Sequence, residues 1–336
     1  MSDDHIRLGH GSGGILTRRL IEGTLLNHFR SPVLQALPDS AWLEVGGACL
    51  AFTTDSFVVD PIVFPGGDIG SLAVFGTVND LAVAGAAPRY ISCALILEAG
   101  LPTAELDAVL ASMARAAEEA GVEVVTGDTK VVPRGKADRI FINTAGIGTP
   151  MDGCTPPGGP AHEGDVVIVS GPVGDHGAAV LSRREGMAME TTILSDCAPL
   201  TRAAAAVLRT ARRVPFLRDL TRGGLATVLN EATGPGRPGL LIHEERTPVH
   251  EQVRAICEVL GLDPLYMACE GRLGAVVDAE SVPAVLAALR AVPGAEGAAA
   301  VGEVTARYEG TVALQTALGT RRLLQMLSGE QLPRIC

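Results

Sequence analysis

Hydrophobic and polar positions divide this chain into two series of strands and helices. An apolar run over 48–54 has the composition of a buried strand, and from 69 to 86 Leu72, Phe75, Val78, Leu81, Ala82 and Gly85 recur at helical spacing. Thr103 reads as the N-cap of a second helix over 104–120, in which Leu106, Val109, Leu110, Met113 and Ala117 share one face and Gly121 supplies the stop. Strands over 122–126 and 139–147 follow. The stretch 148–164 holds Pro150, Pro156, Pro157 and Pro160 among several glycines and reads as a linker. Beyond it come a strand over 165–170 and helices over 178–184, 200–210 and 224–233. Strands over 240–243, 273–277 and 301–304 then alternate with helices near 249–260 and 281–291. The pattern predicts two α/β domains, at 1–150 and 151–325, and a tail over 326–336. The last five residues, Leu332-Pro333-Arg334-Ile335-Cys336, have no helical period, and Pro333 disfavours helix before it, so a loose, extended, mobile arm is expected.

Length agrees with two cores, since a single one stops growing near ~250–300 residues. Composition narrows the partners. With 27 Lys and Arg against 38 Asp and Glu, a net charge of −11 and aromatics at 3%, a basic groove that tracks phosphates and stacks bases is not expected, and neither is nucleic acid. No apolar run approaches the ~20 residues that cross a bilayer, and the first residues lack the basic and apolar regions of a signal peptide. A cytoplasmic protein with no membrane partner is the expectation. The seven cysteines form no CxxC pair and are too sparse for a disulfide framework. Most of them therefore read as small buried apolar side chains, and Cys336 stands apart as the last residue.

Four aspartates sit at strand ends or turns: Asp39, Asp55, Asp80 and Asp219. Asp80 lies in an otherwise apolar helical run, where an unpaired carboxylate is costly to bury, and Mg²⁺ with its preference for hard oxygen donors would offset that cost. Three glycine-bearing turns, at 9–14, 127–130 and 221–225, can present backbone N–H groups to phosphate, with Lys130 or Arg222 adding charge. None is a P-loop, because no GxxxxGK[ST] occurs. Taken one at a time, each aspartate is equally a cap and each glycine run equally an ordinary turn. A thiol on a flexible tail can move between sites, but the adjacent α-carboxylate raises its pKa, so a partner must activate it. Three readings stay open on residues alone: a reaction on Cys336 itself, phosphorylation of a diffusible substrate, and a carrier that presents a modified Cys336 without catalysis.

Motifs in order along the chain bear on that choice. They are His10-Gly11-Ser12-Gly13-Gly14, Thr54-Asp55-Ser56, Phe64-Pro65-Gly66-Gly67, Asn79-Asp80-Leu81-Ala82-Val83, Thr126-Gly127-Asp128-Thr129-Lys130, Gly174-Asp175-His176-Gly177, Thr221-Arg222-Gly223-Gly224 and the terminal Pro333-Arg334-Ile335-Cys336. Together they resemble the HypE family of hydrogenase maturation proteins, in the superfamily of aminoimidazole ribonucleotide synthetase, selenophosphate synthetase and thiamine-monophosphate kinase. The resemblance implies two α/β domains of that type, a homodimer whose N-terminal sheets pair into a barrel, and ATP with Mg²⁺ between the domains. It assigns metal binding to Asp39, Asp55, Asp80 and Asp219. Nucleotide binding goes to Asp55, Asn79, Asp80, Asp128, Thr129, Lys130, Arg222, Gly223 and Gly224, and catalysis to Cys336, Glu270 and Lys130. It further implies that HypF carbamoylates Cys336, that ATP-dependent dehydration turns the S-carbamoyl group into a thiocyanate, and that the HypC–HypD complex accepts the cyanide for the iron of NiFe hydrogenase. Glu270 is the matched base for the carbamoyl nitrogen; His10 and His176 are alternatives for proton handling or phosphate contact.

Overall fold

The chain begins with an arm of three short helices, α1 (Ile15–Leu20), α2 (Leu26–His28) and α3 (Pro32–Gln35). These and all elements below come from a computed structural model, which describes residues 5–184, 191–329 and 334–336. A hairpin of β1 (Ala41–Val45) and β2 (Ala48–Phe57) follows, closed by Gly46 and Gly47, whose φ values of 59° and 84° a two-residue hairpin turn requires. A minimal ladder, β3 (Val63–Phe64) with β4 (Gly67–Asp68), then feeds α4 (Ile69–Val83). Asp68 caps α4, its carboxylate accepting from the N–H groups of Gly70 and Ser71 at 2.8 and 3.0 Å. Next come β5 (Ala86–Glu98), α5 (Thr103–Ala120), β6 (Glu123–Val132) and β7 (Ile140–Pro150). The first sheet runs β1-β2-β7-β5-β6. Its one parallel pair, β5 with β6, is the pair joined by a crossover helix.

The second domain contains β8 (Val166–Val169), α6 (Asp175–Arg183), α7 (Thr201–Thr210), β9 (Phe216–Asp219), α8 (Gly224–Ala232), β10 (Gly239–His243), α9 (Glu251–Leu260), β11 (Leu273–Val277), α10 (Val282–Arg290), β12 (Ala299–Thr305), β13 (Val312–Gln315) and β14 (Arg321–Leu323). Its sheet runs β14-β13-β10-β12-β8-β11-β9. Strands such as Val166–Val169 are continuously apolar because both faces are covered: Ile168 packs with α7 and α10, while Val167 and Val169 pack with α8.

Helix α4 joins the domains. All of its residues except Ser71 and Asp80 are buried. It is apolar all round because the first sheet and α5 cover one side and α7 covers the other. Ala82 and Val83 share a core with Leu200, Val207 and Leu208 of the second domain, so the apolar interior is continuous across the junction.

Two details differ from the sequence pattern. The 13-residue β5 was not signalled by any alternation, because a register shift between Pro88 and Tyr90 breaks its period of two. Thr103 is the first helical residue and not the cap; Pro102 holds the cap position without a side-chain bond, whereas Gly121 ends the helix at φ 69° as expected. Replacing the fully buried Leu208 by Ala leaves a cavity in the shared core and is expected to cost ~2–5 kcal/mol, read from the urea unfolding midpoint.

Candidate active site at the domain junction

Three carboxylates meet where the domains join. Asp39 precedes β1, Asp80 projects from the last turns of α4, and Asp219 ends β9; one oxygen from each lies within 4.8 Å of the others. Asp55 on β2 acts on both Asp80 and Asp219 through its charge. Burial lifts Asp219 to about 6 and Asp39 to about 8, with the Arg218 guanidinium opposing the rise in both. Asp80 is raised well above the carboxylate range by burial and by the charges of Asp219, Asp39 and Asp55. Its Oδ2 lies 2.9 Å from the Thr53 hydroxyl, which also lies 2.8 Å from the Asp39 carbonyl oxygen. A hydroxyl has one proton, so a protonated Asp80 that donates to Thr53, which in turn donates to Asp39, satisfies both contacts. Arg218 pairs with Asp39 and, at 3.1 Å, with Glu231. Converging, desolvated, mutually repelling carboxylate oxygens are the donor set that suits a hard divalent cation, so the residues fit Mg²⁺.

Beside this cluster is a cleft of about 180 Å³ whose walls include Gly11, Ser12, Ser56, Arg222, Gly223 and Cys336. The first glycine turn closes on it from the N-terminal arm: Gly13 sits at φ 78°, where a Cβ would fall 2.9 Å from Arg222, and Arg222 Nη1 donates to the Gly11 carbonyl at 3.0 Å. Gly223 and Gly224, at φ 76° and 57°, start α8 in a conformation that favours glycine. The Arg222 guanidinium is held charged by Cys336, Asp55, Glu270 and Asp80. Burial pushes the Cys336 thiol up; Arg222 opposes this, while Glu270, Asp55 and Asp219 add to it. Glu270 is buried, and its Oε1 has no hydrogen-bond partner among the described residues. Burial holds its carboxyl well above the usual range, reinforced by Asp219, Asp196 and Asp55 and opposed by Arg222. The Glu270 N–H donates to Asp196 Oδ1 at 3.0 Å.

The tail ends inside this cleft. Leu332 and Pro333 lie outside the described residues, but Arg334 to Cys336 are pinned along the segment after β2. Val58 N–H donates to the Cys336 carboxyl oxygen at 3.1 Å, and Asp60 N–H to the Arg334 carbonyl at 3.2 Å. Arg184 Nη2 also reaches that carbonyl, at 2.8 Å, and Arg334 pairs with Asp60 and Asp138. The Ile335 side chain is buried among Phe57, Val59, Ile62 and Phe64. The end of the chain is thus docked in this structure, where the sequence pattern led to the expectation of a loose extended arm. Arg334 takes a φ of 53°, and the apolar Ile335 side chain has a preformed site that the linear sequence does not display.

Two other expectations fare differently. Asn79, expected at the nucleotide, is bonded entirely to the second domain's backbone: Nδ2 donates to Ala198 and Glu270 carbonyls at 3.1 and 3.2 Å, and Oδ1 accepts from Leu200 N–H at 2.7 Å. It thus holds Glu270 in place. Asp128, Thr129 and Lys130 are exposed on the edge strand β6, with Lys130 Nζ 2.8 Å from Asp128. The ladder pairs Asp128 with Ala94, Ala94 with Asn143 and Asn143 with Ser56. Three strand spacings, roughly 14 Å, therefore separate Asp128 from the β2 residues of the same chain. His10 accepts the Arg7 N–H in a local cap. Sequence reasoning passed over Thr53, Asp196 and Arg218; Thr53 and Arg218 lie close to Asp55 and Asp219 along the chain, and Asp196 carries no motif signal.

Comparison with known proteins bears on this geometry. Residues 38–149 match the model for the AIR synthase related protein N-terminal domain, and 162–315 the corresponding C-terminal domain. The carbamoyl dehydratase HypE of Rhodobacter capsulatus is 49% identical over 100% of this chain and 99% of its own. The chain belongs to the HypE family. A second HypE, from Escherichia coli K12, is 46% identical over 99% of this chain and all of its own length. Among solved structures, HypE in complex with ATP has a TM-score of 0.81 at 50% identity and covers 97% of this chain and 98% of its own. A HypE–HypF complex has 0.85 at 41%, covering 92% and 99%. Thiamine monophosphate kinase from Aquifex aeolicus, at 21% identity, TM-score 0.59 and coverage of 91% and 99%, shares the fold alone.

The cluster predicts a pH dependence. Asp219 and Asp39 have folded pKa values of about 6 and 8 against 3.8 ordinarily, so the folded state binds more protons between these limits and stability falls as pH rises through them. Thermal unfolding in EDTA should show Tm falling from pH 6 to pH 8, and Mg²⁺, by holding the carboxylates ionised, should remove most of that fall; Asp219→Asn should abolish the Mg²⁺ effect.

Proposed function

We propose that this chain dehydrates an S-carbamoyl group on its own Cys336 to a thiocyanate at the expense of ATP, supplying cyanide for the iron of NiFe hydrogenase. The observation that carries this reading is the placement of the terminal thiol in a cleft with Arg222, close enough to Glu270, Asp55 and Asp219 for their charges to act on it and beside the Asp39–Asp80–Asp219 cluster. A HypE structure with ATP supports nucleotide use, and a HypE–HypF complex supports HypF as the carbamoyl donor. The HypC–HypD complex is the proposed cyanide acceptor.

The chemistry follows from what must leave. The amide oxygen is a poor leaving group until it attacks the γ-phosphate, which releases ADP and one N–H proton and makes that oxygen part of a phosphate ester. Loss of phosphate with the remaining N–H proton then gives S–C≡N, so the carbamoyl group sheds the elements of one water. Arg222 neutralises charge on the transferring phosphoryl group, and Mg²⁺, which Asp39, Asp80 and Asp219 would hold, would supply the same kind of electrostatic help. Within one chain Arg222, not Lys130, is in the cleft. Glu270, once ionised, takes one nitrogen proton and the departing phosphate carries off the other; a desolvated carboxylate of raised pKa is the stronger base. Asn79 bonds to the Glu270 backbone and keeps it aimed.

A homodimer is part of the proposal. Phe52, Ile147 and Tyr90 form a row across β2, β7 and β5 and are 39%, 38% and 48% exposed, and β6 leaves one edge unpaired. Pairing of two such sheets covers both. No helix among the described residues is long and apolar enough to cross a membrane, and reliance on ATP and a reduced thiol suits the cytoplasm.

Intact-mass measurement on carbamoylated protein should show loss of one water on adding Mg-ATP, with ADP and phosphate released, and Cys336→Ser should take up no carbamoyl group. An unchanged mass would reject the dehydratase reading. Glu270→Gln, of nearly the same shape, should slow dehydration by about a hundredfold or more while the carbamoylated tail still forms.

A further inference from the structure

The docked tail is gripped at one peptide group by a buried side chain outside the phosphate and metal region. His176, in the first turn of α6, has no exposed surface and places Nε2 2.7 Å from the Ile335 carbonyl oxygen. A carbonyl only accepts, so Nε2 carries the proton. The other nitrogen, Nδ1, lies 2.8 Å from Ser195 Oγ, which itself accepts the Cys197 N–H at 3.1 Å. The chain of bonds then has one direction: Cys197 N–H to Ser195, Ser195 hydroxyl to His176 Nδ1, His176 Nε2–H to Ile335. The ring is fixed in plane by the edge of Phe64, with centroids 5.1 Å apart at 88°. Ser195 is fixed in turn by its N–H bond to the Pro65 carbonyl at 2.8 Å, an approach that only glycine at 66 permits, since a Cβ there would fall 2.7 Å from Ser195 N.

We infer that His176 is a positioning residue that seats the Cys336 thiol by donating from Nε2 to the Ile335 carbonyl, with Ser195 selecting the tautomer that makes this possible. The bonded carbonyl belongs to the peptide that carries Cys336, so the grip sets the register of the reacting residue directly. Burial keeps the imidazole neutral and the relay directional. Ile335 fills the adjoining apolar site, which adds affinity but, being a single side chain in a greasy pocket, leaves the peptide free to rotate; the hydrogen bond removes that freedom. The inference deepens the proposed function and rests on Cys336 carrying the reacting group.

Its test reads docking and involves no carbamoyl chemistry, so it stands or falls separately from the dehydratase reading. Full-length protein is treated with iodoacetamide under native conditions, and each cysteine is followed by peptide mass spectrometry. Exposed Cys49 reports reagent activity, and buried Cys257 and Cys269 report the fold. His176→Ala should raise the Cys336 labelling rate about tenfold, the factor set by losing one buried hydrogen bond. His176→Gln, which keeps an N–H donor at similar reach, should stay within about threefold of the parent. Cys336 labelling unchanged by His176→Ala, or raised equally by His176→Gln, overturns the inference. Should His176→Ala expose Cys257 and Cys269, Ser195→Ala takes its place. It leaves the imidazole but frees its tautomer, and absence of a rise in Cys336 labelling there overturns the inference as well.

Discussion

Everything at the junction of the two domains follows from crowding carboxylates where water is excluded. Burial is the largest influence on Asp39, Asp55, Asp80, Asp219 and Glu270, and Asp219 and Asp55 add their charge to both Asp80 and Glu270. Such a group persists only with opposing charge or with protons. Arg218 supplies charge on one side, paired to Asp39 and Glu231, and Arg222 on the other, facing Asp55, Glu270 and the terminal thiol. What these guanidiniums leave uncompensated is taken up by protons in the free protein, and is available to a divalent cation and to the charge of a transferring phosphoryl group.

Helix α4 makes the arrangement possible because its consecutive residues point different ways. Asn79 turns into the second domain and closes three hydrogen bonds to its backbone, two to Ala198 and Leu200 on the segment that leads into α7 and one to the Glu270 carbonyl before β11. Asp80, about 100° further round a helix, joins the acid cluster. One helix therefore carries both the fastening between domains and a member of the site, and the continuous core behind it, from Ala82 and Val83 to Leu208, fixes their mutual position. A carboxyl held by backbone contacts of this kind keeps its orientation while its Oε1 has no hydrogen-bond partner among the described residues.

The Cys336 thiol comes to this fixed site from the far end of the chain. Its docking uses main-chain bonds from Val58 and Asp60, an apolar seat for Ile335 and the His176 donor. None of these contacts involves the sulfur. The same backbone grip therefore leaves the sulfur free of main-chain constraint.

The linear sequence determined a good deal by itself. The helical period in 69–86, the glycine stop at Gly121 and four strands of the second domain, β8, β10, β11 and β12, were legible because local spacing and backbone freedom decide them, while β9, β13 and β14 were not. The motifs around Asp55, Asp80 and Arg222 and the terminal Cys336 were legible because they recur in one family. Tertiary structure alone decided the rest. Strand β5 escaped notice because a bulge breaks its alternation, and the fastening of Asn79 to the second domain could not be read locally because the backbone groups it bonds are 119 to 191 residues away. The site of Lys130 depends on ladder order, which no local pattern encodes, and the tail's anchorage depends on His176, 159 residues from Ile335. Contacts between residues distant in sequence leave no period in the chain; they exist only once packing has brought the groups together and removed the water between them.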